Sequence, residues 1–563
     1  MTASLPPALI FFAGALLVAL APGRLRPAMT MLVPLVGGWN LWHLAQGGGL
    51  EVALFDIRLE LVRADKLALL FGILFHLATF LACLYALHLK DRMQQVSALI
   101  YAGGALGAVF AGDLITLFVA WEIMAVASVF LIFARRTPRA SAAGLRYLTV
   151  QISSGLLLLA GALLHISETG SPAFGAIGLG SLAGILIFTA FGIKCAFPLV
   201  HSWLTDAYPE STPTGMVFLA SFTTKVAVYG LARGFAGTEV LIYIGVAMTM
   251  FPIFFAVIEN DLRRVLAFSL INQVGFMVVG IGIGSELALN GAVSHAFNDV
   301  LFKGLLLMSM GAVLHQTGKI NGSELGGLFK TMPVTTGLCI VGAASISAFP
   351  LFSGFVSKSM VMVAAAEEGY WIVWLLLLFA SAGVFHHAGI KIPYFAFFAH
   401  DSGIRTREPP LNMLLAMGLS AALCVLIGVF PSLLYGFLPW QVHYVPYTAD
   451  HVLSQLQLLF FSALAFAWLN FAGLYPPELR SLNLDADWLY RRLGLGMARR
   501  AENAWTKAED GGARLAGRGG AWLLDAAARH YGPAGILART RSTGMAALWI
   551  VILLGICLIL YYL

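Results

Sequence analysis

Residues 184–198 read Gly-Ile-Leu-Ile-Phe-Thr-Ala-Phe-Gly-Ile-Lys-Cys-Ala-Phe-Pro, an apolar run with Lys194 in its interior and Pro198 four residues on. An ammonium at bilayer depth costs about 2.5–3.5 kcal/mol on insertion scales, and more in simulations. Glu122, Lys225, Lys303, Lys358 and Lys391 sit in similar apolar surroundings. Ionisable groups retained at such depth mark a pathway for ions or protons. The reading of this run therefore sets the class: an all-α membrane protein with charge inside it.

Composition agrees. The chain has 563 residues, of which 59% are hydrophobic and only 11% charged, against about 25% charged in soluble domains. Apolar runs long enough to span a bilayer recur almost end to end. They predict sixteen helices, near 8–22, 27–45, 64–87, 95–111, 114–133, 143–166, 180–203, 213–235, 239–258, 265–284, 288–315, 333–362, 370–398, 411–436, 453–472 and 544–563. The stretch 51–63 partly alternates apolar and polar residues, which predicts a short β-hairpin.

Loop charge predicts topology. Arg24 is the first basic residue and follows the first apolar run, so Met1–Pro22 reads as a retained helix rather than a secretory signal. Arg24 and Arg26, Lys90 and Arg92, Arg135, Arg136 and Arg139, Arg263 and Arg264, Lys319 and Lys330, and Arg405 and Arg407 fall in alternate loops. The positive-inside rule makes those loops cytoplasmic. Both termini then lie outside a bacterial inner membrane. The net charge of +6 is this bias plus a basic tail, so nucleic acid is not an expected partner. Cys83, Cys195, Cys339, Cys424 and Cys557 are scattered singly, with no CxxC pair for zinc or an iron–sulfur centre. No metal and no cofactor is expected.

The chain divides into N-terminal helices with the hairpin (1–94), two five-helix segments (95–236 and 237–400), further helices (401–472), a basic amphipathic segment (473–543) and a terminal helix (544–563). The two segments share a grammar: Lys194 lies near Pro198 with Lys225 one helix later, and Lys358 lies near Pro350 with Lys391 one helix later. Paired Pro-interrupted helices carrying buried charge are a transporter signature. In 473–543, Trp488, Leu493, Trp505, Leu515 and Trp522 alternate with basic residues, as in a helix lying in the interface plane. The glycines at 511–520 are expected to break it.

The candidate site is a row of charges. Glu122 lies ~13 Å beyond Asp113 along its helix at 1.5 Å per residue. Pro198 opens the backbone ladder beside Lys194, freeing carbonyls that gather water. A Glu122–Lys194 pair that opens and closes would switch the lysine between holding and releasing a proton. Lys225 follows Thr223 and Thr224. His295, Asp299 and Lys303 are spaced four apart and line one helical face. Lys358 would end the row. Lys391 is expected to snorkel to an interface, and His386-His387 lacks further metal ligands.

Taken as an ordered set, Trp121-Glu122, Lys194-Cys195-Ala196-Phe197-Pro198-Leu199-Val200-His201-Ser202-Trp203-Leu204, Ala207-Tyr208-Pro209, Asn260-Asp261-Leu262-Arg263-Arg264-Val265-Leu266-Ala267-Phe268-Ser269, Leu301-Phe302-Lys303-Gly304-Leu305-Leu306 and Gly354-Phe355-Val356-Ser357-Lys358 resemble one family. It is the antiporter-like family shared by Mrp-type cation/proton antiporters, respiratory complex I and membrane-bound hydrogenases. The resemblance spans roughly residues 60–430 and is nearest the long D-type subunits of the Mrp-type Na⁺/H⁺ antiporters. It implies two inverted five-helix repeats around a hydrophilic axis. Glu122 would be the ion-pairing glutamate, Lys194 the broken-helix lysine, Lys225 the relay lysine, His295 and Lys303 the central relay helix, and Lys358 the end of the half-channel. Family members often carry histidine where this chain has Asp299, which leaves the middle of the relay open unless Asp299 pairs with Lys303.

Three functions compete on the sequence. The first is a proton-relaying component of a multi-subunit antiporter, with H⁺ and Na⁺ transported and other subunits and lipid as partners. The second is a proton-pumping membrane-arm component of a complex I-like or hydrogenase assembly, without a redox centre of its own. The third, a lipid-linked transferase, has only Asp206 and Glu210 as a paired carboxylate site.

Overall fold

A computed structural model describes residues 5–54, 57–476, 478–479, 483–540 and 542–563. Its helices are α1 (Pro7–Leu20), α2 (Arg26–Leu44), α3 (Lys66–Tyr85), α4 (Arg92–Phe110), α5 (Leu114–Phe133), α6 (Pro138–Thr169), α7 (Leu182–Lys194), α8 (Ser202–Ala207), α9 (Pro213–Gly234), α10 (Val240–Ile258), α11 (Leu262–Ile283), α12 (Glu286–Thr317), α13 (Pro333–Ile346), α14 (Ser353–Glu367), α15 (Trp371–Val384), α16 (Leu411–Val429), α17 (Ala449–Phe471), α18 (Leu495–Tyr531) and α19 (Thr543–Tyr562). Helix α15 continues as two π-helical turns, Phe385–Ile390 and Tyr394–Phe398. Two antiparallel strands, β1 (Gly49–Leu54) and β2 (Ile57–Arg63), form the expected hairpin. Each of the sixteen expected spans holds a helix, and twelve of the described helices are long and apolar enough to cross a membrane. The chain is a multi-pass, all-α membrane protein.

Local chemistry fixes the helix starts. Asp65, Asp91, Asp113, Thr137, Ser181, Thr212 and Asp261 stand at N-caps, and each side chain accepts a backbone N–H of the first turn. Pro138, Pro213 and Pro333 occupy first turns, where proline's missing N–H is harmless.

The repeat is written in the backbone. Asp113 pairs with Ala173 in one isolated bridge and Asp261 with Asn321 in another, an offset of 148 residues in both partners (261 − 113 and 321 − 173). Helices α6 and α12 are both 32 residues long and end at Gly170 and Gly318 with φ of 72° and 68°. Both broken helices carry the tetrapeptide Ala-Phe-Pro-Leu, at 196–199 and 348–351. Ala196 and Leu199 have φ of 62° and 71°, and Ala348 and Leu351 have 58° and 74°. In each break the Phe N–H reaches five residues back, Phe197 to Gly192 O and Phe349 to Ala344 O, both 3.0 Å. Left-handed φ at a non-glycine residue costs about 1–2 kcal/mol, so the four positions store strain that the surrounding packing holds. Five crossings (α5, α6, the α7–α8 pair, α9 and α10) separate Asp113 from Asp261. That odd number inverts the second repeat relative to the first.

Helices α9, α11 and α12 form the interior: the apolar windows of all three are at least 94% buried. Loops on the arginine-bearing face are tied by ion pairs. Arg146 meets Asp206 at 2.8 Å, and Arg135 and Arg139 meet Glu210 at 3.4 and 3.1 Å. Asp206 and Glu210 are therefore partners of arginines, which removes the paired-carboxylate argument for a transferase.

Residues 486–563 form a second compact unit. Within it α18 runs unbroken for 37 residues through Gly511, Gly512, Gly517, Gly519 and Gly520, contrary to the expected break. Each glycine costs about 1 kcal/mol relative to alanine. The flanking Ala, Arg, Leu and Glu residues are strong helix formers, and Arg529 pairs with Asp525 one turn away.

Candidate functional site

The row begins at α5. Lys194, wholly buried at the end of α7, donates from Nζ to the Trp121 carbonyl at 2.7 Å and lies 4.4 Å from the Trp121 ring centroid. The break that positions it is pinned: Trp203 Nε1 donates to Ile193 O at 2.9 Å, and Ser154 Oγ to Ala190 O at 2.7 Å. Glu122, one residue beyond Trp121, is half-buried with Oε1 unpartnered. It borders a lateral cleft of about 900 Å³ that Arg92 and Ser97 also line. Lys194 is thus held by a carbonyl next to the glutamate rather than by its carboxylate.

The next station crosses from α9 to α12. Lys225 Nζ meets Asp299 Oδ2 at 2.5 Å, both side chains wholly buried, and donates to Ala220 O at 3.1 Å. Asp299 therefore pairs across helices with Lys225. The alternative raised by sequence, a pair with Lys303 along its own helix, is not what forms. Lys303 instead donates to Ser269 Oγ on α11 at 2.7 Å. A buried ammonium facing an aspartate across two helices satisfies both charges in low dielectric, and i,i+4 spacing along one helix does not by itself bring the two head groups together.

His295 is held from both sides. Its Nδ1 lies 3.1 Å from Ser357 Oγ on α14 and its Nε2 3.0 Å from Gln273 Oε1 on α11. Gln273 Nε2 donates to Asn272 Oδ1 at 2.8 Å, and Asn272 Nδ2 to Thr249 O at 2.5 Å. At the far end Lys358 donates to Ile346 O at 3.0 Å, a carbonyl that the second helix break leaves free, and sits 5.2 Å from the Phe276 ring. Around it Asn298 Nδ2 donates to Ser353 O at 2.9 Å, and Ser345 and Ser353 share a 2.9 Å hydrogen bond.

All seven sequence candidates therefore fall on one run of helices, α5, α7, α9, α12 and α14, through the interior. Their partners, Trp121, Ser269, Asn272, Gln273, Asn298 and Ser357, carry no charge and do not stand out by charge in the sequence. The signal that could find them is polarity: Ser269, Asn272 and Gln273 lie within one turn of each other inside the otherwise apolar α11. Buried polar atoms without a protein partner cluster beside the row, at Thr224 Oγ1 next to Lys225 and Asn298 Oδ1 next to Asp299. Such groups are satisfied by buried water in proteins. An ammonium carries three donors, and among the described residues Lys194, Lys303 and Lys358 each place one on a protein acceptor.

Lys391 departs from its expected place. It does not snorkel: it is wholly buried, paired with Glu478 Oε1 at 2.8 Å and donating to Val257 O and Glu259 O at 2.7 and 2.6 Å. The C-terminal carbonyls of α10 are short of N–H partners, and the ammonium caps them. Among the described residues no group of three His, Cys, Asp or Glu is arranged to hold a metal ion.

Comparisons with known proteins agree with the multi-pass helical fold. Residues 111–385 match the family described as NADH:quinone oxidoreductase/Mrp antiporter, transmembrane. The A-type subunit of the Na(+)/H(+) antiporter of Alkalihalophilus pseudofirmus is 29% identical over 426 residues, covering 66% of this chain and 53% of the relative. Hydrogenase-4 component B of Escherichia coli is 26% identical over 435 residues, 69% of this chain and 64% of the relative. The chain spans about half the length of the curated antiporter subunits it matches, 46% and 53% of the first two. A chain of an archaeal respiratory complex, the membrane-bound sulfane sulfur reductase, shares the fold with a TM-score of 0.70 at 23% identity, over 98% of this chain and 99% of that one.

Proposed function

We propose that the chain, whose residues 111–385 match the family described as NADH:quinone oxidoreductase/Mrp antiporter, transmembrane, is the proton-relaying component of a multi-subunit monovalent cation/proton antiporter of Mrp type, in the long D-type branch. The observation that carries the proposal is the row of ionisable side chains from Glu122 to Lys358, each buried or half-buried, with its lysines and His295 each held by a hydroxyl, carbonyl or carboxylate partner. Protons step along Lys194, Lys225–Asp299, His295, Lys303 and Lys358. Closure of the Glu122–Lys194 pair gates the first step. The drive is the proton-motive force, whose electrical part is worth about 2.3 kcal/mol per charge per 100 mV. The arginine-bearing loops face the cytoplasm of a bacterial inner membrane, both termini face outward, and Na⁺ is the counter-transported ion. The chain works as one part of a transporter rather than as a self-contained enzyme.

A second reading is the proton pump of a redox-driven assembly. The likeness to a hydrogenase component over 69% of the chain favours it. The same helices would then be driven by chemistry in a partner chain. Purification of the native complex separates the two: small antiporter subunits accompany the chain in the first case, redox subunits in the second. Within either assembly, Glu122→Gln or Lys194→Ala abolishes proton transport in proteoliposomes; full activity of both variants refutes the assignment.

A further inference from the structure

The proton relay leaves one group of buried charges unused, near the arginine-bearing face. Lys391 lies just past the first π-helical turn after α15, in the short α-helical stretch Lys391–Pro393, beside the C-terminal end of α10. One turn deeper, in that π-helical turn, is His387, wholly buried. Among the described residues neither of its ring nitrogens completes a hydrogen bond, and the Gly383 carbonyl of its own helix is the backbone group beside the ring. It lies within electrostatic reach of Lys303 on the axis and of Lys391 toward the surface. A π-turn inserted in a helix is frequently a functional feature, and a buried unpartnered imidazole is costly unless it is used.

The outer partner comes from elsewhere in the chain. After α17, Tyr475, Glu478 and Asn483 lie against this face. Tyr475 stacks on His386 with ring centroids 5.5 Å apart, Glu478 reaches Lys391, and Asn483 donates to Glu259 Oε2 at 3.4 Å. Glu478 is 6% exposed. Burial pushes its carboxyl above the usual carboxylate range, against the opposing pull of Lys391. Among the described residues, the charged and titratable groups that face this spot are Glu259 at the C-cap of α10, Arg264 from α11, Lys303 from α12, His386 and His387 from the first π-helical turn, Lys391 from the short α-helical stretch after it, and Tyr475.

We propose that Glu478, Lys391 and His387 form a lateral proton inlet that feeds Lys303 from the arginine-bearing face. The proposal rests on the relay reading above and adds to it a loading path that enters from the side of the row. A proton from solvent binds the Glu478 carboxylate. Lys391, released from its ion pair, passes a proton through intervening water to His387, and the imidazolium passes it on through water to a neutral Lys303 amine. The neutral Lys391 amine then takes the proton from the Glu478 carboxylic acid, restoring the pair. One proton has moved from solvent to Lys303, and every inlet group is back in its starting form.

The test uses the full chain in its native complex, reconstituted in proteoliposomes with an internal pH-sensitive dye. Proton flux is followed from the arginine-bearing side between pH 5.5 and 8.5. His387→Gln removes a proton carrier that has no side-chain partner to lose, so the ion pair and the packing stay intact; Glu478→Gln tests the outer group, and Glu478→Asp is the conservative rescue. The expected result is at least a tenfold slower flux in both Gln variants with a flattened pH profile, and recovery in Glu478→Asp. Wild-type flux and pH profile in His387→Gln overturn the inlet while leaving the relay intact. A wild-type complex that moves no protons overturns both.

Discussion

Asp299→Asn tests the centre of the relay with little change of shape. In the wild type the Lys225 ammonium and Asp299 carboxylate are 2.5 Å apart and wholly buried. Asparagine keeps the volume and a hydrogen-bond acceptor but removes the counter-charge. Removing one partner of a buried pair costs about 3–5 kcal/mol, because the other charge is left uncompensated. That penalty falls on the protonated state of Lys225, through which the relay passes. At about 1.4 kcal/mol per decade, the proton flux should fall by roughly 100- to 4,000-fold. Flux is measured by stopped-flow quenching of a trapped pH dye, and stability by thermal melting of the purified complex. The double variant Lys225→Met with Asp299→Leu carries no orphan charge, so it should melt near the wild type and still transport nothing. Asp299→Asn moving protons at the wild-type rate would refute the placement of Lys225 and Asp299 in the path.

Other expectations follow from single sites. Arg263 is 1% exposed and donates to the carbonyls of Pro209, Ser211 and Thr212, so Arg263→Ala should be strongly destabilising, read as a loss of folded yield, since each buried acceptor left unsatisfied costs about 1–3 kcal/mol. Arg263→Lys should fail to rescue it, since an ammonium lacks the planar fork. Ala196→Gly and Ala348→Gly relieve left-handed backbone and should leave stability unchanged or raise it by about 0.5–1 kcal/mol, whereas valine at either position should destabilise by about 2 kcal/mol or more; differential melting decides. Lys303→Met should silence transport while Ser269→Ala, which removes only the hydroxyl that accepts from Lys303, should slow it no more than tenfold in the same flux assay.

Most of the fold was legible because a bilayer imposes a length on every helix and a sign on alternate loops. What escaped was set by partners far away in sequence. Asp299 looks along its own helix toward Lys303 in a linear reading, yet its partner Lys225 comes from α9. Lys391 near Pro393 reads as an interfacial residue, because Glu478, 87 positions later, is invisible to local pattern. The Ala-Phe-Pro-Leu repetition stands in plain sight, but the proline spacing to the nearest lysine differs between halves and hides it. The glycines of α18 mislead because propensity is summed over a whole helix rather than decided at its weakest residues.

The parity of the duplicated bend restricts how such a chain can change. The same four residues open a helix toward opposite sides of the lipid sheet only while an even number of complete crossings, here α9 to α12, lies between them. Loss or gain of a single intervening helix would point both openings the same way and leave one compartment without a vestibule. Helices can therefore be added between residues 199 and 348 only in pairs, while growth beyond either bend, as with α17 to α19, is free of that rule.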